Sequence, residues 1–116
     1  MSKNKLAHVR LVAINDVYEL TNLPKLQTFL SKLSPPPVAV LLAGDFISPS
    51  PLSSIDGGRG MVATLRAVGL THCSLGNHEA DLKLNSLRDR IKELSKSVTV
   101  LNSNMRNPPP KAMWMK

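Results

Sequence analysis

Short apolar runs alternate along this chain with stretches in which leucine recurs every three or four residues. Val9–Ile14 (VRLVAI) is β-branched and reads as a buried strand. Leu23, Leu26, Leu30 and Leu33 then recur at helical spacing, so Leu23–Leu33 is expected to be an amphipathic helix, with Pro24 suited to its first turn. Ser34–Pro37 (SPPP) ends it, because proline cannot continue a helix. Val38–Ala43 (VAVLLA) is the second expected strand, and Gly44–Gly58, rich in Ser, Pro and Gly, reads as a loop. Met61, Val62, Leu65 and Val68 mark a second helix, with Asp56 as a cap and Gly69 as its stop. His72–Leu75 is a brief third strand, Leu84, Leu87, Ile91 and Leu94 mark a third helix, and Val98–Leu101 is the fourth strand. From Met105 onwards no period is visible, and an irregular tail is expected there.

This alternation predicts an α/β domain, a βαβαβαβ unit whose crossovers are right-handed and whose strands are parallel. Parallel strands are usually covered on both faces, which suits their continuous apolar character. In such a sheet all four carboxyl ends lie on one edge, where open α/β folds bind ligands. Here each end is polar: Asn15-Asp16, Gly44-Asp45, Gly76-Asn77-His78-Glu79 and Asn102-Ser103-Asn104. Asp and Asn also favour turns and caps, so any one of these could be a plain loop. Four of them converging on one edge predict a site.

Composition narrows the setting. Aromatic residues are 3% of 116, so the core must be mostly Leu, Val, Ile and Ala. The net charge of +7 favours anionic partners, yet the basic residues are scattered, and no zinc finger, aromatic RNA-binding pattern or Arg-rich arm accompanies them. Nucleic-acid binding therefore rests on charge alone. Cys73 is the single cysteine, which allows no internal disulfide. The polar start MSKNKLAHVR lacks the apolar core of a signal peptide, and no apolar run approaches the roughly 18 residues of a membrane span. A cytoplasmic chain is the expectation.

Several motifs lead elsewhere. Gly57-Gly58-Arg59-Gly60 precedes a helix but lacks the Gly-Lys-Ser/Thr ending of a P-loop, and helix entry is its expected role. His72 and Cys73 read as structural, and Ser48, Ser50, Ser53 and Ser54 form no nucleophile elbow. What remains is Asp16, Asp45, Asn77 and His78. Carboxylate and amide oxygens suit hard or borderline divalent cations. Asp45, after the apparently central second strand, is the natural bridging carboxylate between two such ions, and an imidazole beside them can protonate a leaving alkoxide.

Asp16, Gly44-Asp45 and Gly76-Asn77-His78-Glu79 together resemble the first three metal motifs of the calcineurin-like metallophosphoesterases. The local text is most similar to the 5′-nucleotidase branch: Asn15-Asp16-Val17-Tyr18-Glu19-Leu20, Gly44-Asp45-Phe46-Ile47-Ser48-Pro49-Ser50, Gly60-Met61-Val62 and Gly76-Asn77-His78-Glu79-Ala80-Asp81. The resemblance covers about residues 8–105, with 106–116 as tail. It implies the N-terminal half of an αββα sandwich holding two divalent metals (Mn, Zn, Fe or Mg) and acting on a phosphoester or nucleotide. It implies that Asp16 binds the first metal, Asp45 bridges, Asn77 binds the second and His78 acts near the leaving group. Tyr18, Glu79, Asp81 and Asn104 would support them. Asp81 would either cap the third helix or hold His78.

The chain departs from that pattern in two ways. The first motif is usually Asp-x-His, and Tyr18 stands at its third position. The family completes its site with later histidines, whereas the three histidines here are His8, His72 and His78. A truncated relative is therefore expected. Its rival role is non-catalytic, pairing with another protein through an open sheet face.

Overall fold

A computed structural model describes residues 6–102. Four parallel strands, β1 (Leu11–Ile14), β2 (Ala39–Ala43), β3 (His72–Ser74) and β4 (Thr99–Leu101), lie side by side in the order β1-β2-β3-β4. Val12 pairs with Val40, Leu42 with Cys73, and Cys73 with Val100. The helices are α1 (Leu23–Lys32), α2 (Pro51–Asp56), α3 (Arg59–Val68) and α4 (Leu84–Leu94), with a 3-10 turn at His78–Asp81.

Each expected strand and helix is present, its ends trimmed by up to two residues. Pro24 does lie in the first turn of α1, and Gly69 ends α3 in a left-handed conformation. The expected loop Gly44–Gly58 contains α2. Its six residues are too few for a periodic stripe, and Ile55 is 86% exposed, so the apolar pattern gives no sign of it. Asp56 joins α2 to α3: its carboxylate accepts from Gly58 N at 2.8 Å and Gly60 N at 2.7 Å. These are the amides a phosphate would have needed, so the glycine run is a helix entry.

Met61, Val62, Leu65 and Val68 put the buried face of α3 at the centre of the core, between α1, α2 and α4. Leu23 from α1, Leu87 and Leu94 from α4, and Val40, Leu42 and Cys73 from the sheet complete it. Burial pushes the Cys73 thiol up to about 12. His72 Nδ1 lies 2.9 Å from Thr71 Oγ1, a local structural contact.

The strand order has one further consequence. Three right-handed crossovers that all step the same way put every helix on the same face of the sheet. The cover on both faces that is usual for parallel strands is absent among the described residues, and the open sheet face that the resemblance implied is present. Val12, Ile14, Val40, Leu42, Cys73 and Val100 point into the helices. The alternate residues face outward: Leu11 is 58% exposed and Leu101 53%, and Leu41, His72 and Ser74 line an open apolar depression between them. Among the described residues no helix is long and apolar enough to cross a membrane.

Candidate functional site

Among the described residues the strand order never reverses, so they form no switch-point crevice of the doubly wound kind. The loops after β1, β2 and β3 build the site instead. Ala43 pairs with Ser74, so Gly44-Asp45 and Leu75-Gly76 leave the sheet as neighbours. They pass so closely that a Cβ on Gly44 would lie 2.4 Å from Gly76 N, and one on Gly76 would lie 2.2 Å from Asp45 Oδ1. Gly44 also holds a φ of +86°. Only glycine fits either position.

Glu79 fastens the two loops together. It is 1% exposed, and its carboxylate accepts four backbone N–H groups. Phe46 and Ile47 donate to Oε1 at 2.8 and 3.2 Å, and Asp45 and Gly76 to Oε2 at 2.9 and 2.6 Å. A buried carboxylate is tolerated when its oxygens are satisfied in this way. Glu79 is thus a clamp on the backbone of both loops.

Asp45 Oδ1 in turn accepts from His78 N at 2.8 Å. Asp16 is brought alongside by Val17 N, which donates to the Asp45 carbonyl at 2.9 Å. Both aspartates have left-handed backbones, φ 53° at Asp16 and 54° at Asp45. Non-glycine residues in that region are uncommon and cluster at functional sites. Asn77 opens the 3-10 turn, exposed at the same edge.

His78 Nδ1 lies 3.0 Å from Asp81 Oδ2, and Ser48 Oγ donates to the same oxygen at 2.8 Å. Asp81 pairs with His78, and the residue before α4 is Lys83. The hydrogen bond to Asp81, reinforced by the charges of Asp45, Asp81 and Glu79, raises the His78 pKa above its ordinary value of 6.5, against a smaller opposing effect of burial. Ser48 is the residue that sequence reasoning set aside: its role depends on a fold contact 33 residues away, for which no local pattern exists.

Tyr18 completes the arrangement. Its ring meets His78 edge-on, with centroids 5.9 Å apart and planes at 84°. Its hydroxyl donates to Asp16 Oδ1 at 2.6 Å, and Asn15 Nδ2 contacts Asp16 Oδ2. The bond to Asp16 is the main cause of a phenol pKa pushed up to about 12. Beside it a cavity of about 410 Å³ opens between the end of β1 and α1, walled by Ile14, Val17, Leu23 and Leu26. Asn104 lies outside the described residues, as does the expected tail.

The edge therefore gathers Asp45, Glu79 and Asp81 around one imidazole, with Asp16 joined through Tyr18, an acidic pole on a chain of net charge +7. Residues 9–113 match the family model for the calcineurin-like phosphoesterases. The chain belongs to that family. No curated protein and no solved structure matches it. As a calcineurin-like phosphoesterase it carries the oxygen donors such a metal centre needs in kind, but they fall short in number. Among the described residues no group of three or more His, Cys, Asp or Glu side chains is placed to hold a metal ion. The oxygens of Asp16 already carry hydrogen bonds. The residues described here fit part of one cation's shell and do not fit two.

Proposed function

We propose that this chain carries the first three motifs of a metal-dependent phosphoesterase of the 5′-nucleotidase type. One observation carries the reading: Glu79 ties the Gly44-Asp45 and Gly76-Asn77-His78 loops into a single unit beside Asp16. Two loops with separate roles would need no shared clamp. In this reading Asp45 and Asn77 offer oxygen ligands to a divalent cation, and Asp16 belongs to a neighbouring first-metal position. An all-oxygen set favours Mg²⁺ or Mn²⁺. A bound cation supplies charge stabilisation at the phosphoryl oxygens. His78, oriented by Asp81, holds a proton for the departing alkoxide.

The test is hydrolysis of an aryl phosphate and of a 5′-nucleotide by the purified chain, with and without Mn²⁺, beside an Asp45→Asn variant. Metal-dependent turnover that the variant lacks supports the phosphoesterase, and a clear preference for the nucleotide supports the branch. A folded chain with no metal-dependent turnover sinks the catalytic reading.

The bare sheet face favours a second reading, in which the chain works as an interaction module and a second protein layer covers Leu11, Leu41 and Leu101. Sedimentation decides it: a chain that stays monomeric at every concentration, alone and with candidate partners, would rule that role out.

A further inference from the structure

We propose that Ser48 is a positioning residue for His78: through Asp81 it holds the imidazole with its hydrogen on Nδ1 and leaves Nε2 as the nitrogen that meets a substrate. The inference rests on the reading above, in which His78 serves the departing alkoxide, and adds the group that sets its orientation.

Two loops build this relay. His78 and Asp81 begin and end the 3-10 turn, and in such a turn side chains three residues apart eclipse. The imidazole therefore meets a carboxylate of its own turn, Nδ1 to Oδ2 at 3.0 Å. A contact within one turn does not stop that carboxylate from rotating about its side-chain bonds. Ser48, in the loop after β2, restrains it from outside: its hydroxyl donates to the same Oδ2 at 2.8 Å. A carboxylate oxygen has two lone-pair sites, so Oδ2 can take one donor from each loop. Ser48 follows Ile47, whose N–H donates to Glu79, so the clamp on both loops also places the hydroxyl.

The place of the hydrogen follows. An ionised carboxylate only accepts, so the ring nitrogen facing it must be the one that donates. In the neutral ring Nε2 then keeps the lone pair. Among the described residues Nε2 makes no hydrogen bond, and the His78 side chain is 37% exposed. A neutral imidazole without a partner samples both tautomers. Only the Nδ1–H form turns a basic nitrogen toward the open edge, and a proton taken up there is the one an alkoxide can receive.

The experiment is nitrogen NMR of the full chain carrying isotope-labelled histidine, at alkaline pH where the ring is neutral, with the His78 signals assigned by their loss in His78→Gln. Ser48→Ala and Ser48→Thr are measured alongside, each first checked by circular dichroism for a wild-type fold; Ser48→Cys, a weaker donor, stands in if Ser48→Ala does not fold. The wild type and Ser48→Thr are expected to show one tautomer, protonated at Nδ1, and Ser48→Ala a mixture with the Nε2–H form. Mixed tautomers in the wild type, or the wild-type spectrum in Ser48→Ala, would overturn the proposal. Turnover of an aryl phosphate with Mn²⁺ is the second readout. Ser48→Ala is expected to lower kcat about tenfold at unchanged KM, the scale of one hydrogen bond to a charged group, and Ser48→Thr to restore it. An active wild type whose kcat survives Ser48→Ala also overturns the positioning role. If no chain turns over the ester, the phosphoesterase reading falls, and the tautomer spectrum by itself decides for or against Ser48.

Discussion

Glu79 shows how one side chain can decide the shape of a site it does not enter. Its two oxygens receive amides from Asp45, Phe46, Ile47 and Gly76, so they set the path of the backbone under Asp45 and His78. Glutamine would offer one oxygen and turn an amino group onto amides that also donate. We expect Glu79→Gln to lower stability by on the order of 3 kcal/mol, the range for leaving buried donors unpaired and losing bonds to a charged group. Denaturant unfolding measures this, and a loss under about 0.5 kcal/mol, the scatter of surface substitutions, would show that the clamp is dispensable. The glycines beside it have no such latitude, since a methyl on Gly76 would overlap Asp45 Oδ1. The residues most sensitive to substitution here are therefore the two that carry no side chain and the acid that holds them.

At the scale of elements, α3 is the piece on which the others depend, and Asp56 determines how it begins. One carboxylate satisfies two amides of the first turn, Gly58 N and Gly60 N, and so couples the end of α2 to the start of α3. Removing a capping oxygen of this kind costs about 1 kcal/mol. Asp56→Ala is expected to lower the thermal midpoint accordingly, while Ser54→Ala, whose hydroxyl bonds the carbonyls of Ser50 and Pro51 at the start of α2, changes it little. Equal effects of the two substitutions would place the junction's stability elsewhere. Because Asp56 already occupies those amides, inorganic phosphate should not raise the midpoint through this turn.

For the whole molecule the governing fact is asymmetry. One face of the sheet carries every helix of the described residues, and the other exposes Leu11, Leu101 and the depression between them. Lysine at both leucines should leave unfolding free energy within about 0.5 kcal/mol of wild type, because neither side chain packs into the core. The same double change, Leu11→Lys with Leu101→Lys, is expected to reduce self-association in sedimentation velocity. Unchanged association, or a large loss of stability, would mean that the face is not the exposed surface described here.

The sequence by itself determined the elements with clear periods and the polar ends of the strands. Met61, Val62, Leu65 and Val68 read as one face of a helix, and Gly44-Asp45 and Gly76-Asn77-His78 as the ends of strands, because those signals are local. It did not reveal α2, whose six residues are too short for a period. Nor did it place Ser48 against Asp81, or Tyr18 against Asp16 and His78. Periodicity also said nothing about which face the helices take. Side-chain contacts between loops from different strands and the handedness of successive crossovers exist only once the strands have paired in order. Tertiary structure therefore decided that the sheet is covered on one side, that Glu79 is a clamp, and that the two aspartates of the edge, alike in sequence and in backbone angle, are differently engaged.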